Sequence, residues 1–283
     1  MNNFRKINLD DWILFGGGAT SDTYYHKNDD KVMLKVFLPT VDRSAPIREF
    51  ELTDKVYKLG VKTPRAIEMV EANGRIGIIY ERITGKVSCA RMMADHPELI
   101  PQVAKEYVRE VRILHSTKCD TKAFEHKKDI ARKQVENAKS VNDEQKGRLL
   151  RFIDSIPDAD TCLHCDLQMG NLIKAHDEYY WIDLGDFAYG YPLFDIASVM
   201  FAADTLAHTE KTQELYHMNT EQLRLFWKCF LKEYLESDDE IKTRRFIESL
   251  QGYLAIYYLF VVEINNFIPG GEEIYQRIIN SVK

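Results

Sequence analysis

Two segments in the middle of the sequence combine acidic and amide side chains at short spacing. The first, residues 164–172, reads HCDLQMGNL, and the second, residues 181–195, reads WIDLGDFAYGYPLFD. Asp166 and Asn171 lie in a predicted loop, and Asp183 follows a predicted strand. Carboxylate and amide oxygens are the ligands that Mg²⁺ prefers, and this ion keeps several waters when it binds protein. The two segments therefore predict a magnesium site.

Features in the first 60 residues add a second pattern. The glycine triplet 16–18 separates two predicted strands, Lys35 lies alone in the strand-like run VMLKVFL, and Glu49 lies on the helix predicted next. Together with Asp166 and Asp183 they are the parts of a kinase-type phosphoryl-transfer site. Taken singly, the lysine and the glutamate have an ordinary alternative interpretation as exposed residues of a strand and a helix. The combined spacing of these residues favours a catalytic site over this ordinary interpretation.

Both acidic segments resemble signature sequences of one enzyme group. HCDLQMGNL resembles the HGDLxxxN catalytic loop of the aminoglycoside phosphotransferase and choline kinase group, which has the protein-kinase-like fold. IDLGDFAYGYPLFDIA resembles the IDWGDxxxGDPxxDLA segment of that group. The resemblance continues through FGGGATSDTYY, LKVF, YERITG and ILHS, covers nearly the whole chain and suggests a bacterial branch. The glycine-rich loop alone would be weak support, whereas the pair of segments is specific.

The resemblance implies a role for each residue of the two segments. Asp166 is expected to be the catalytic base, which accepts the proton of the acceptor hydroxyl and orients that hydroxyl. Asn171 and Asp183 are expected to bind the Mg²⁺ that bridges the phosphate oxygens. His164 and Asp195 are expected to support the catalytic loop, with the alternative that Asp195 is only the N-cap of the next helix.

The resemblance also implies a nucleotide site in the N-terminal part of the chain. Lys35 is expected to contact the α- and β-phosphates, and Glu49 is expected to pair with it, with Glu51 as the alternative partner. The backbone of Glu81 and Ile83 is expected to face adenine. Three residues of the glycine-rich loop are expected to cover the nucleotide, because small side chains let backbone N–H groups approach phosphate: Gly17, Gly18 and Ser21.

One position departs from the pattern of the group. Cys165 stands where the group usually has glycine, which places a thiol beside the predicted base, and oxidation of this thiol is a hypothetical route to inhibition. With Cys162 it also forms a C-x-x-C, but the sequence has no second pair of this spacing to complete a zinc site. Two small, soft residues in a buried segment are the favoured interpretation.

The elements that position these residues fall into two parts. Five short β-rich runs and one helix, predicted over 47–59, occupy the first 80 or so residues, whereas the remainder is mostly helical in its periodicity. We therefore predict an α+β, protein-kinase-like fold with two lobes. A small five-stranded antiparallel lobe with one helix, residues 1–83, binds the nucleotide. A larger, mostly helical lobe, residues 84–283, carries the catalytic loop, the metal site and the acceptor pocket.

Composition argues against several other classes of protein. Of the 283 residues, 45% are hydrophobic and 29% are charged, which is typical of a globular chain and not of a disordered one. The net charge of −6 argues against nucleic acid as a partner. The longest apolar run, residues 253–262, is shorter than the ~20 residues of a spanning helix, so it is predicted to be a buried helix.

Location and assembly are predicted from the same features. The first dozen residues contain no apolar leader-like region, and five cysteines fit poorly with a complete disulfide framework. We therefore expect a cytoplasmic protein with no membrane partner, as a monomer or homodimer.

These observations predict an ATP- and Mg²⁺-dependent kinase that phosphorylates a hydroxyl of a small molecule. The acceptor stays open between an amino sugar, another sugar and a choline-like alcohol. The aromatic residues of 253–262 form either an acceptor wall or core, with core favoured, and Glu263 is either a pocket anion or an exposed residue. A nucleotide-binding pseudokinase is an alternative, although Lys35, Asp166 and Asp183 are present. A protein kinase is less favoured, because little chain follows Asp183 to form a peptide platform.

Overall fold

The computed structural model describes residues 4–18, 20–207, 209, 213, 216–265 and 268–282. Backbone contacts group the chain into two compact units. The first contains residues 1–86 and 173–186, and the second contains residues 87–172 and 187–283. The predicted lobe boundary after residue 83 stays a prediction, and the grouping differs from it chiefly by assigning 173–186 to the first unit.

The first unit is built on one mixed sheet. Its strands are β1 (Arg5–Ile7), β2 (Trp12–Gly17), β3 (Ser21–His26), β4 (Val32–Phe37), β5 (Ala66–Ala72) and β6 (Arg75–Glu81). The spatial order is β1-β5-β6-β4-β3-β2, and every neighbouring pair is antiparallel except β1 with β5. The helix α1 (Ser44–Leu59) connects β4 to β5. Two further paired strands follow much later in the chain, β9 (Leu172–Ala175) and β10 (Glu178–Trp181).

The predicted α+β class is confirmed, but the sheet has six strands where five antiparallel ones were predicted. All five predicted strands are present, and the additional one is β1, which pairs with β5 in parallel over only three residues. Its sequence, RKI, has a single apolar residue, so it shows no alternation that a sequence pattern could detect. The predicted helix 47–59 is α1, which begins three residues earlier.

Strand alternation in β4 determines where Lys35 points. Leu34 and Val36 belong to a buried cluster on one face of the sheet, whereas Phe37 packs with Ile78 and Tyr80 on the other face. Because successive side chains of a strand point to opposite faces, Lys35 shares the second face. Because its apolar neighbours are buried, Lys35 is held with its side chain partly buried on this second face.

The face of α1 that is buried carries an acidic residue. Glu49, Leu52, Thr53 and Val56 are buried and recur at the spacing of one helix face. The helix ends at Gly60, whose φ of +91° is the left-handed conformation that glycine adopts without steric cost. Glu49 is thus directed inward with the apolar residues, which excludes the alternative of a solvated helix glutamate.

The second unit is mostly helical. Its helices are α2 (Cys89–Asp95), α3 (Ile100–Ser116), α4 (Lys127–Asn137), α5 (Asp143–Ser155), α6 (Leu193–Met200), which continues as the π-helical turn Phe201–Thr205, α7 (Thr220–Leu235), α8 (Glu240–Ser249), α9 (Gln251–Asn265) and α10 (Glu272–Ser281). Its strands are β7 (Val87–Ser88), β8 (Thr161–Leu163) and β11 (Ala188–Gly190), and β8 pairs with β11 in antiparallel fashion. Short 3₁₀ turns complete the two units at Leu9–Asp11, Pro97–Leu99 and Met169–Asn171.

The apolar run 253–262 lies in α9 and is mainly core. Most of its side chains are buried, whereas Tyr257 and Phe260 are only partly buried. Among the described residues, no single helix has the length and hydropathy needed to cross a membrane. Only Glu240–Ser249 and Gln251–Ile264, taken together across a bend of 46°, meet those two criteria.

We expect Gly77→Ala to destabilise the first unit. Gly77 lies in β6, and a Cβ there would approach the carbonyl oxygen of Lys35 to 3.1 Å and Cδ1 of Leu34 to 3.0 Å. The neighbouring backbone is fixed by pairing with β4, so it cannot move without disturbing the sheet. Overpacking of this kind lowers the free energy of unfolding by about 1–3 kcal/mol, which urea denaturation measures.

Gly147→Ala is the matched control. Gly147 lies within α5, and a Cβ there would meet only the Arg151 guanidinium at 3.5 Å, an ordinary contact. Because alanine is favoured over glycine inside a helix, this variant should gain about 0.5–1 kcal/mol. If Gly77→Ala were as stable as the unchanged protein, the close packing of β4 on β6 would not be a constraint.

Candidate active site

One ammonium group of the first unit is held by two carboxylates. Lys35 Nζ lies 2.8 Å from Oε1 and 3.0 Å from Oε2 of Glu49, and it also donates a hydrogen bond to Oδ1 of Asp183. The lysine and glutamate side chains are only 12% and 11% exposed, whereas that of Asp183 is 49% exposed. Glu51, the alternative partner, is exposed to solvent. The cluster thus combines one buried ion pair with one accessible acid.

Burial and charge act against each other in this cluster. Burial favours a neutral lysine, but the carboxylates of Asp183 and Glu49 outweigh it and raise the pKa of Lys35 above its ordinary value. Burial raises the pKa of Glu49, because its attraction to Lys35 only partly offsets desolvation and the charge of Asp183. Lys35 therefore stays charged, and its single positive charge is shared by two acids.

Tyr80 is a third partner of the cluster. Its phenol donates a hydrogen bond of 2.8 Å to Oε1 of Glu49, and the ring is buried in β6 beside α1. Burial, followed by the charge of Glu49, raises the pKa of Tyr80 well above its ordinary value, so the phenol remains a donor. The bond gives Glu49 a donor in addition to Lys35, which helps to offset the desolvation of a buried carboxylate.

The lysine opens onto a cavity of ≈ 330 Å³ within the first unit. Its lining includes the predicted loop residues Gly17, Gly18 and Ser21, together with Ile83. The loop is tightly turned, since the Gly18 amide donates to the Ser21 carbonyl at 2.8 Å. Glu81 lies outside this lining, and its amide donates to the carbonyl of Arg65 at 2.9 Å. The predicted contact of its backbone with adenine stays a prediction.

In the second unit, Asp166 is surrounded by side-chain donors. Asn171 Nδ2 donates to its Oδ2 at 2.9 Å and to its carbonyl at 3.0 Å. Gln168 Nε2 lies 3.4 Å from the same Oδ2, and the Tyr257 phenol donates to Oδ1 at 2.7 Å. The Asp166 side chain is held between a loop amide and a helix phenol, and the residue is partly exposed.

A buried carboxylate organises the loop that carries Asp166. Asp195, fully buried, accepts hydrogen bonds from the amides of His164 at 2.9 Å and Cys165 at 2.7 Å. Its Oδ2 also lies 3.0 Å from Nε2 of His115. His164 in turn accepts the amide of Asp166 on Nδ1 at 3.3 Å. The alternative that Asp195 is an N-cap is wrong, because Asp195 is the third residue of α6 and Pro192 occupies the N-cap position. Its carboxylate instead binds the backbone of the loop, and the predicted supporting role stays a prediction.

Cys165 adopts a backbone conformation that explains why glycine is usual there. Its φ is +68°, in the left-handed region, which costs a residue with a side chain about 1–2 kcal/mol. The thiol is 1% exposed, so solvent oxidants have little access to it and the hypothesis of inhibition by oxidation loses its physical basis. Cys162 interacts with Cys119, which, together with burial, raises the pKa of Cys119. Within the described residues, no cluster of three His, Cys, Asp or Glu side chains is placed to hold a metal.

Comparison with known proteins identifies the family. A sequence model of the phosphotransferase enzyme family, APH, matches residues 11–225, which include both acidic segments and the glycine-rich loop. The chain belongs to this family. The phosphotransferase accordingly acts on a hydroxyl acceptor. No curated protein sequence matches it significantly.

Solved structures share the fold of this phosphotransferase. A thermostable mutant of aminoglycoside phosphotransferase APH(4)-Ia, in complex with ADP and hygromycin B, aligns with a TM-score of 0.62 at 14% identity, covering 96% of this chain and 94% of its own. Amicoumacin kinase, in complex with AMP-PNP, Ca²⁺ and amicoumacin, aligns with a TM-score of 0.58 at 14% identity, covering 99% of this chain and 90% of its own. Plasmodium vivax ethanolamine kinase aligns with 0.56 at 13% identity, covering 96% and 80%. At these identities the likeness establishes the fold alone.

The structure divides the predicted site residues of the phosphotransferase between its units. The first unit contains Gly17, Gly18, Ser21, Lys35, Glu49, Glu81, Ile83 and Asp183, and the second contains His164, Asp166, Asn171 and Asp195. The sequence patterns predict no contact with these residues for Tyr80 or His115, and they include Tyr257 only among the aromatic residues of 253–262 that form either an acceptor wall or core. Tyr80 is the first residue of the YERITG segment of the resemblance, in which the backbone of Glu81 and Ile83 is the predicted adenine contact. His115 and Tyr257 contact residues 80 and 91 positions away, so local sequence patterns give no signal for them.

We expect Asp195→Asn to destabilise the phosphotransferase. The amide nitrogen of asparagine would face backbone N–H groups that now donate to a carboxylate, which leaves buried donors unpaired. The free energy of unfolding should fall by about 1.5–3 kcal/mol, the range for hydrogen bonds to charged groups. Urea denaturation measures this, with the exposed turn residue changed in Asp177→Asn as control. Equal stability of the two variants would mean that Asp195 does not hold the loop.

Proposed function

We propose that this phosphotransferase is a kinase that transfers the γ-phosphoryl group of ATP to a hydroxyl of a small molecule. The observation that carries the proposal is the Lys35 ammonium, which is charged, held by Glu49 and Asp183, and directed into a cavity lined by a glycine-rich loop. A fixed cation beside backbone amides is suited to phosphate oxygens. Neighbours with the same fold hold ADP or AMP-PNP, which supports ATP as the donor.

Mg²⁺ is proposed as the metal, with Asn171 and Asp183 as its ligands. Both offer side-chain oxygens, since the hydrogen bonds of Asn171 to Asp166 use its nitrogen and Asp183 is half exposed. Mg²⁺ is usually held by one or two protein groups plus phosphates, so the donor set fits without a larger acidic cluster. When bound, the ion neutralises charge that develops on the phosphate oxygens.

Asp166 is proposed as the base. Its carboxylate is oriented by Asn171, which bonds both the side chain and the backbone of the same residue. An acceptor hydroxyl that donates to Asp166 would have its oxygen lone pair turned towards the phosphorus, and the proton would pass to the carboxylate as the new bond forms. Orientation is the larger contribution, because the loose transition state demands little early proton removal.

The class of acceptor is proposed as an amino sugar, another sugar or a choline-like alcohol. Relatives of this fold bind hygromycin B, bind amicoumacin or are ethanolamine kinases. Glu263, one possible anion for a cationic acceptor, accepts three hydrogen bonds of 2.6–2.9 Å from the backbone of Lys139 and from the backbone and hydroxyl of Ser140. That carboxylate is engaged in joining two segments of the second unit, so it offers no support for a cationic acceptor.

The proposed base is tested by Asp166→Ala. We expect phosphate transfer to fall by about 10²–10⁴-fold, the usual contribution of a general base, while affinity for AMP-PNP changes little. Transfer is measured with labelled ATP over a panel of aminoglycosides, simple sugars, choline and ethanolamine, with a generic protein substrate included. Full transfer by Asp166→Ala would contradict the assignment. Normal ATP binding by the unchanged protein with no transfer to any acceptor would instead favour a pseudokinase, and transfer only to protein would favour a protein kinase.

The proposed metal ligand is tested by Asp183→Ala. We expect the gain in AMP-PNP affinity that Mg²⁺ provides to fall at least about tenfold, the loss typical even of an outer-shell partner. Isothermal titration with and without Mg²⁺ measures this gain. Asp186→Ala, which removes an acid three residues further on, is the control and should retain it. An unchanged Mg²⁺ dependence in Asp183→Ala would rule out the ligand role.

A further inference from the structure

Tyr257 contacts the proposed base from a helix that is otherwise core. Its phenol donates to Oδ1 of Asp166 at 2.7 Å. The ring is held by Phe201, at 5.2 Å between centroids and 66°, and by Phe260, at 6.3 Å and 49°. Aromatic contacts of this kind favour one orientation of the ring, in which the phenol faces Asp166. Tyr257 is partly exposed, whereas its neighbours Ile256 and Tyr258 are buried.

The Tyr257 phenol is bonded to the Asp166 oxygen on which an acceptor hydroxyl could place its proton. Oδ2 of Asp166 is approached by Asn171 at 2.9 Å and by Gln168 at 3.4 Å, and Oδ1 is bonded by Tyr257. A hydroxyl that transfers its proton to this carboxylate must donate to it at about 2.6–3.2 Å. The Tyr257 oxygen therefore occupies a position that an acceptor oxygen would take, and makes the same hydrogen bond.

We propose that Tyr257 is a positioning residue that keeps Asp166 in its reactive orientation and excludes water from its Oδ1 until an acceptor hydroxyl replaces the phenol. This inference rests on the proposed function, in which Asp166 is the base. Water is itself a hydroxyl compound and competes with any acceptor for a bound ATP. A kinase whose base oriented water in place of the acceptor would hydrolyse ATP without phosphorylating the acceptor.

The reaction that Tyr257 suppresses is hydrolysis. A water oxygen on Asp166 would form a bond to the γ-phosphorus, the bond from that phosphorus to the β,γ-bridging oxygen would break, and its electron pair would leave with ADP. The proton of the water would pass to Asp166, and the other product is inorganic phosphate. Because the ring stays packed when its hydroxyl is removed, Tyr257→Phe should leave a water-sized space beside Oδ1.

The test is the rate of ADP formation without any acceptor, at saturating ATP and Mg²⁺. We expect Tyr257→Phe to raise this rate about tenfold, the factor that corresponds to ~1.4 kcal/mol, which is near the upper end of the net contribution of a typical hydrogen bond. Tyr253→Phe is the matched control: it removes a phenol from the same helix, where the ring packs against Phe152 and Phe194, and should leave the rate unchanged. Circular dichroism melting verifies that all variants are folded.

The double variant Asp166→Ala/Tyr257→Phe separates this inference from the proposed function. Hydrolysis raised in Tyr257→Phe and lost in the double variant supports the inference. An unchanged or lower rate in Tyr257→Phe, while Asp166→Ala abolishes transfer to acceptors, overturns the role of Tyr257 and leaves the function standing. Full transfer by Asp166→Ala overturns the function itself.

Intact-mass analysis after incubation with ATP adds a second readout. The proposed role requires Tyr257 to remain unmodified, because the phenol only donates a hydrogen bond. Phosphorylation of Tyr257 would overturn the inference, since the phenol would then accept the phosphoryl group itself. In the proposed role it only occupies the position of the acceptor hydroxyl. A merely structural tyrosine would change the melting temperature when substituted but would not change the ratio of hydrolysis to transfer.

Discussion

The first unit depends on keeping one lysine charged in a place where water is scarce. An ammonium that loses its hydration is stable only if carboxylates replace the lost water, and here Glu49 and Asp183 both do so. The sheet supplies the lysine through the alternation of β4, and α1 supplies the glutamate on the same face as its apolar residues. One positive charge thus links two elements of the first unit and the segment that carries Asp183.

In the second unit a buried negative charge is likewise compensated by nearby polar groups. Asp195 is a fully buried carboxylate, and its negative charge is compensated by two backbone amides and an imidazole. Those amides belong to His164 and Cys165, so the compensation also determines the path of the loop. Cys165 is kept in a left-handed conformation that a side chain disfavours, and the hydrogen bonds of a buried charge are strong enough to maintain it.

Sequence patterns were informative where a single element or a short loop carries the signal. Short β-rich runs predict five of the six strands in the sheet of the first unit, and the first acidic segment contains both Asp166 and Asn171, which the structure brings into contact. The strand β1 was not predicted, because three residues with one apolar side chain show no alternation of apolar and polar residues. Tyr80 lies in the YERITG segment of the resemblance, but its bond to Glu49 joins residues 31 positions apart, and Tyr257 contacts Asp166 across 91 positions. Such contacts arise from tertiary packing, which local spacing does not encode.

The acidic residues of the two clusters differ in their exposure to solvent, and this difference limits which of them can bind a ligand. Glu49 and Asp195 are buried, and protein donors occupy their oxygens, so each is committed to holding other groups in place. Asp183 and Asp166 remain accessible, which allows them to exchange a protein partner for a ligand. An accessible carboxylate also attracts water, and if Asp166 is the base that we propose, water bound there before the acceptor would lead to hydrolysis of ATP. A phenol that aromatic packing holds beside Asp166 is a suitable temporary partner, because it satisfies the carboxylate and fills the space that water would take until an acceptor hydroxyl replaces it.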